Sequence, residues 1–131
     1  MSGETDLQKL LQGLKPKLNN GEFVFCTLPS PQTIDSLDPI CMFEEEEGMT
    51  VIIPKQQADD AALPYSSVFA WITLTVHSSL DAVGLTAAVS TALSKENISC
   101  NMVAAYYHDH LFVPIDDANK AIKTLERSSE L

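Results

Sequence analysis

The chain has 131 residues, 45% hydrophobic and 20% charged, the proportions of a compact globular domain. Lys and Arg number 8 against 18 Asp and Glu, for a formal net charge of −10. That balance speaks against nucleic acid and anionic membrane as partners, because phosphate contacts need Lys and Arg, and the recurring apolar segments speak against disorder.

Leu7, Leu10, Leu11 and Leu14 recur at i, i+3, i+4 and i+7, which predicts an amphipathic helix closed by Lys15-Pro16. Asn19-Asn20-Gly21 forms a turn, and Glu22 to Leu28 is a strand of aromatic and β-branched residues. Residues 29–39 hold Pro29, Pro31 and Pro39 and read as a loop. Ile40 to Glu45 and Met49 to Ile53 flank Glu47-Gly48 as a hairpin, with the acidic run Glu44 to Glu47 as a solvated end that resists edge pairing. A short helix from Gln56 to Leu63 follows, and Pro64 stops it.

Val68 to Val76 is almost wholly apolar, as expected of a central strand buried on both faces. His77, Ser78 and Ser79 make a polar turn, and Asp81 is placed to cap a helix over 82–96 with the apolar face Leu85, Ala88, Val89, Ala92 and Leu93. Cys100 to Tyr107 reads as a strand, His108-Asp109 as a two-residue turn and His110 to Ile115 as the returning strand. Asp116 or Asp117 caps a last helix with the face Ala118, Ala121, Ile122 and Leu125.

The second half thus reads β-α-β-β-α, the ferredoxin-like pattern without its last strand. A right-handed crossover sets strand 110–115 between strands 68–76 and 100–107. All three histidines then gather at one sheet end, near the start of helix 82–96. A helix start offers unpaired N–H groups that suit a carboxylate. Gly84 is the only glycine of this half, and inside a helix it costs ~1 kcal/mol relative to Ala. Either the close approach of a ligand or partner, or tight helix–sheet packing, has to offset that. His77, His108, Asp109 and His110 carry metal-ligating atoms, against the plainer reading of a solvated hairpin tip.

Cys26, Cys41 and Cys100 form no CxxC pair and read as reduced cytosolic thiols acting as small hydrophobes. No secretory signal is expected, nor any run approaching the ~18 apolar residues of a membrane span. Walker, GxGxxG, HExxH and GxSxG motifs are absent.

The segment WITLTVHSSLDAVGLTAAVSTALSKENISCNMVAAYYHDHLFVPIDDANKAIKTL (71–125) resembles the ACT domain family. With GEFVFCTLP (21–29) and FEEEEGMTVIIP (43–54), the whole chain is similar to short stand-alone tandem ACT-like proteins of an uncharacterised bacterial type. The resemblance implies an α+β fold with antiparallel sheets and helices on one face. Residues 1–65 would be a degenerate ACT-like module and 66–131 an ACT domain, with strand 22–28 as the candidate for the missing last strand. It further implies a cytoplasmic regulatory module without catalysis or cofactor, binding an amino acid or similar small carboxylate at a module or subunit interface. Carried onto this chain, the binding loop is Ser79, Leu80, Asp81, Val83 and Gly84, and the facing strand is Cys100, Asn101, Met102 and Val103. Asn101, polar in an apolar strand, is either a ligand contact or a satisfied edge amide. A C2 homodimer and a regulated partner protein complete the expectation. The alternatives are an interaction or dimerisation module without ligand, and a small metal-dependent enzyme using the histidines.

Overall fold

The computed structural model describes residues 6–77 and 79–128, apart from the side chains of 31 and 32. In chain order the elements are α1 (Leu7–Gln12), β1 (Pro16–Leu18), β2 (Phe23–Leu28), a 3-10 helix (Pro31–Ser36), β3 (Cys41–Glu45), β4 (Gly48–Pro54), α2 (Lys55–Asp60), β5 (Phe69–Leu74), α3 (Leu85–Lys95), β6 (Asn101–Ala104), β7 (Asp109–Pro114), a 3-10 turn (Ile115–Asp117) and α4 (Ala118–Ser128). They form two compact units that are not consecutive halves: the described parts of residues 1–20 and 70–131 make one, and residues 21–69 the other. This differs from the expected division at 65/66 in where the first twenty residues belong.

In the two-ended unit the N-terminal leucines do form a helix. Asp6 caps it, its carboxylate accepting the N–H groups of Gln8 at 2.9 Å and Lys9 at 3.4 Å. Leu10 and Leu14 are fully buried. Burying them holds the following residues beside β5. There β1 pairs antiparallel with β5, Pro16 opposite Leu74 and Leu18 opposite Ile72. The strand order is β1-β5-β7-β6, with β6 and β7 antiparallel. Residues 16–18 pair with β5 over three positions and so take the place of the last strand missing from the β-α-β-β-α pattern, whereas strand 22–28 meets β5 only at Phe23–Phe69 and pairs with β4 along its whole length. Asn19 secures this join: its backbone N–H donates to the Trp71 carbonyl at 2.9 Å and its side-chain amide to Thr73 Oγ1 at 2.9 Å.

Alternation along the strands sends Ala70, Ile72, Leu74, Leu111 and Val113 to one face. Against them α3 lays Leu85, Val89 and Leu93, and α4 lays Ala121 and Leu125. The last helix begins at Ala118, directly after the 3-10 turn Ile115–Asp117, so Asp117 stands immediately before its first residue.

In the other unit β2 pairs β4 antiparallel from Phe23–Pro54 to Leu28–Met49, and β4 pairs β3, in the order β3-β4-β2. Its core is Val24, Cys26, Leu28, Val51, Ile53, Ala58 and Leu63. Burial raises the Cys26 thiol pKa, as suits a cysteine used for packing. The succession strand, crossover, strand, strand, helix repeats that of the first unit, and so does the strand order. The crossover is reduced to the 3-10 helix Pro31–Ser36, two turns with Pro31 at its first position, where a loop was expected.

Candidate functional site

The loop between β5 and α3 shapes the candidate site. Ala82 N–H donates to the Ser79 carbonyl at 3.0 Å, and Asp81 N–H to Ser79 Oγ at 3.1 Å, so Ser79 to Ala82 form a turn that ends before the helix. Asp81 is not the helix cap. Gly84 is, with φ 100° and ψ −16°. That left-handed conformation is open to glycine and strained for other residues. A Cβ at Gly84 would also lie 3.2 Å from Leu7 Cδ2 of α1. Backbone conformation and the approach of α1 thus account for this glycine. Gly84→Ala is expected to lower stability by about 1–2 kcal/mol from backbone strain alone, read as a lower urea midpoint at unchanged slope. An unchanged midpoint would show that the loop relaxes at no cost.

The loop, the first turn of α3 and the end of the β6–β7 ladder enclose a cleft of about 120 Å³. Ser79, Leu80 and Gly84 of the expected loop line it, joined by Ala82, Leu85, Thr86, Ala104 and Asp109. Asp81 and Val83 are exposed outside it, Val83 at 83%. The expected strand residues divide by face. Met102 shares the helical side with Ala104 and packs on the core, as does Cys100, whose thiol pKa is raised by burial. Asn101 and Val103 alternate to the other face. There Asn101 Nδ2 donates to the Phe112 carbonyl at 3.2 Å, a satisfied edge amide. Asp109 alternates with Leu111 and Val113, so it faces the helices and is 7% exposed.

The hairpin turn is Ala105–His108, two residues longer than expected; Ala105 N–H donates to the His108 carbonyl at 3.1 Å and Ala104 stands opposite Asp109. Tyr106 and Tyr107, expected to end the strand, occupy its tip, edge to face with ring centres 4.9 Å apart. His77 lies 5.7 Å from the Tyr107 ring and His108 6.5 Å from His110, so the histidines do gather at one sheet end. Their side chains do not converge: among the described residues no three His, Cys, Asp or Glu could hold one metal ion. Ser78 lies outside the described residues.

His110 turns toward β5. Its Nδ1 accepts the Trp71 Nε1–H at 3.0 Å and is 3.0 Å from Thr73 Oγ1. An indole N–H only donates, so the network assigns a neutral imidazole with its proton on Nε2. Thr73 Oγ1 takes a hydrogen bond from Asn19, which leaves its own proton for Nδ1. Burial, with the neighbouring His108 charge, lowers the His110 pKa, and Asp109 opposes them.

Two ACT domain family models match the chain, one over residues 2–70 and the other over 66–127. The chain belongs to the ACT domain family. A Vibrio cholerae protein of unknown function, described as a possible transport protein, is 44% identical at a TM-score of 0.86, covering 94% of this chain and 95% of its own. The regulatory subunit of aspartate kinase from Thermus thermophilus has the same fold at 9% identity, with a TM-score of 0.59 over 88% of this chain and 98% of its own. That of Thermus flavus gives 10% and 0.63 over 87% and 96%. No curated protein matches. Both ACT domains are of a regulatory, ligand-binding type of module. Among the described residues no helix is long and apolar enough to cross a membrane.

Proposed function

We propose that this ACT protein is a non-catalytic cytoplasmic sensor that binds an amino acid or similar small carboxylate in the cleft at the start of α3. It transmits occupancy through a second copy, as a homodimer, or through a regulated partner protein. The observation that carries the reading is that Ser79, Leu80 and Gly84, which the family resemblance marks as binding loop, line a cleft together. Gly84 brings no side chain to cap the first turn of α3, which favours an anion beside its N–H groups. The cleft, about 120 Å³, is smaller than the roughly 300 Å³ of pockets that bury drug-sized molecules, and suits a compact ligand. Leu80, Val83, Tyr106 and Tyr107 are exposed on the adjoining loops, which supports a docked partner at the same end.

A thermal-shift screen of the full chain against the twenty amino acids at millimolar concentration tests this. Saturating a native site at about 100 times Kd stabilises by ~2.7 kcal/mol, a shift of several degrees in Tm. At least one amino acid is expected to give it. No shift with any of them overturns the reading.

A further inference from the structure

We infer that the free edge of β3 is a docking site for an extended segment of a partner protein in which Lys or Arg is followed by apolar residues. The segment adds antiparallel to β3 as one more strand. The site belongs to the unit of residues 21–69 and stands whether or not the cleft takes a ligand.

In the order β3-β4-β2, β3 ends the sheet, and among the described residues it pairs with β4 alone. Such an edge presents a row of N–H and C=O groups that can receive another strand. The register fixes where its side chains go. Phe43 stands opposite Thr50 and Met42 opposite Val51, so the two lie on opposite faces. Neither is covered: Phe43 is 69% exposed and Met42 52%. Glu44 and Glu45 continue the strand, one on each face, and Glu46 and Glu47 follow in the turn, all four exposed. Thr50 donates a hydrogen bond to the Glu45 carboxylate, which holds that charge beside Phe43. Both faces of the edge thus run from an apolar residue to an acid in the same direction.

Charge and order together select the occupant. Residues 21–69 hold nine acids, no histidine and one base, Lys55, for a net charge of −8 out of the chain's −10. Lys55 is itself paired with Asp59 at 3.0 Å. A second copy of the edge is a poor fit. In parallel, each glutamate meets its own counterpart, and like charges directly opposite destabilise a pair. Antiparallel about Phe43, Glu44 and Glu45 meet Met42 and Cys41 and gain no counter-charge. The glutamates that deter such pairing are the ones that a basic segment neutralises. An antiparallel partner meets Glu45 and Glu44 first, then Phe43 and Met42, so its basic residues precede its apolar ones. Main-chain hydrogen bonds then supply affinity, and the side chains supply choice.

Fluorescence anisotropy of capped, labelled peptides titrated with the full chain tests this. The probes are Lys-Lys-Lys-Val-Tyr-Val, the same residues in reverse order, and Glu-Glu-Glu-Val-Tyr-Val. The first is expected to bind about 10-fold more tightly than the reversed peptide, with affinity falling as salt rises, and the glutamate peptide is expected not to bind. Methylating one set of alternate backbone nitrogens in the first peptide should abolish binding, and methylating the other set should leave it, as pairing along one edge requires. Phe43→Ser should weaken the first peptide about 10-fold. Glu44→Lys with Glu45→Lys should transfer binding from the lysine peptide to the glutamate peptide. Circular dichroism checks that these exposed substitutions keep the fold; if the double variant does not, Phe43→Ser and the peptide series on the unaltered protein decide. Equal binding of the forward and reversed peptides, or of both methylated forms, reduces the contact to charge alone and overturns the inference. So does the absence of binding at millimolar peptide. Sedimentation showing a dimer that Phe43→Ser dissociates gives the edge to a second copy and overturns it as well.

Discussion

Replacing Leu10 and Leu14 together by alanine is expected to unfold the unit built from the two ends of the chain. Both side chains are fully buried in one core with Ile72, Leu74, Leu85, Val89 and Leu111. A buried Leu→Ala change costs about 2–5 kcal/mol, from lost transfer energy and from the cavity left behind. The pair together approaches the ~5–15 kcal/mol that holds a small domain folded. A six-residue helix has no stability of its own, so α1 persists only through these contacts and cannot rearrange to compensate. Thermal and urea unfolding followed by near-ultraviolet circular dichroism reads the outcome. Gln8→Ala with Lys9→Ala, on the exposed side of the same helix, is the control and should stay near the unaltered protein. A Leu10→Ala, Leu14→Ala chain that still melts cooperatively within a few degrees of the parent would mean that the first twenty residues are an appendage. The same logic makes residues 66–131 alone a poor fragment, since β5 loses both its leucine cover and its β1 neighbour. A permuted chain carrying residues 6–20 after residue 128 restores both and should fold.

The elements that the sequence declares are those whose pattern is long enough to repeat. Leu85, Val89 and Leu93 mark one helical face over two turns, and the apolar run of β5 allows no other reading at its length. The β3–β4 hairpin is announced by Glu47-Gly48 between strand-like segments. β1 could not be seen in this way. Pro-Lys-Leu is three residues long, shows no period, and is a strand only because Leu10 and Leu14 hold it beside β5. The order in which chain ends and middle assemble is a non-local fact, and no window of sequence carries it. The shift of the hairpin turn has a similar cause. Tyr106 and Tyr107 favour strands by type, but the ladder stops at Ala104–Asp109, and two tyrosines then sit in the turn.

At the candidate site three of the five expected loop residues meet at the cleft, and none of the expected strand residues does. Ser79, Leu80 and Gly84 lie within six consecutive residues of one loop, where neighbours in sequence are neighbours in space. For Asn101, Met102 and Val103 the deciding quantity is which face each presents, and a one-residue change of register exchanges the two faces. The structure turns Asn101 toward the Phe112 carbonyl and Ala104 toward the cleft. Asp109 stood out in the sequence as a metal-ligating residue beside two histidines. Its alternation with Leu111 and Val113 separates it from His110 and puts it in the cleft instead. Gly84 was readable as a glycine with a reason, but a positive φ at a cap and a ligand's approach leave the same mark in a sequence.

Acidification is expected to loosen the hydrogen-bonded chain Asn19–Thr73–His110–Trp71, and Trp71, the only tryptophan, should report it by fluorescence. The neutral imidazole accepts at Nδ1. A proton placed there makes Nδ1 a donor, which faces the Trp71 N–H and leaves the indole without its acceptor. The folded-state pKa of His110 lies below the ordinary value of 6.5, chiefly through burial and also through His108. The unfolded chain therefore takes up the proton first as the pH falls. This contribution to stability is complete above about 6.5 and is lost as pH falls through the lowered folded value. His108→Gln removes one cause of the lowering and should move the Trp71 transition to higher pH; Asp109→Asn removes the opposing charge and should move it lower. His110→Ala leaves the Trp71 N–H and the Thr73 hydroxyl short of an acceptor, at a cost of about 1–3 kcal/mol if water does not replace it, and should abolish the transition. Because Asn19 carries the chain out of β1, the same acidification should weaken the join between β1 and β5, seen as faster amide exchange at Asn19 relative to the β6–β7 ladder. A Trp71 titration that His110→Ala leaves unchanged would place the pH response elsewhere in the molecule.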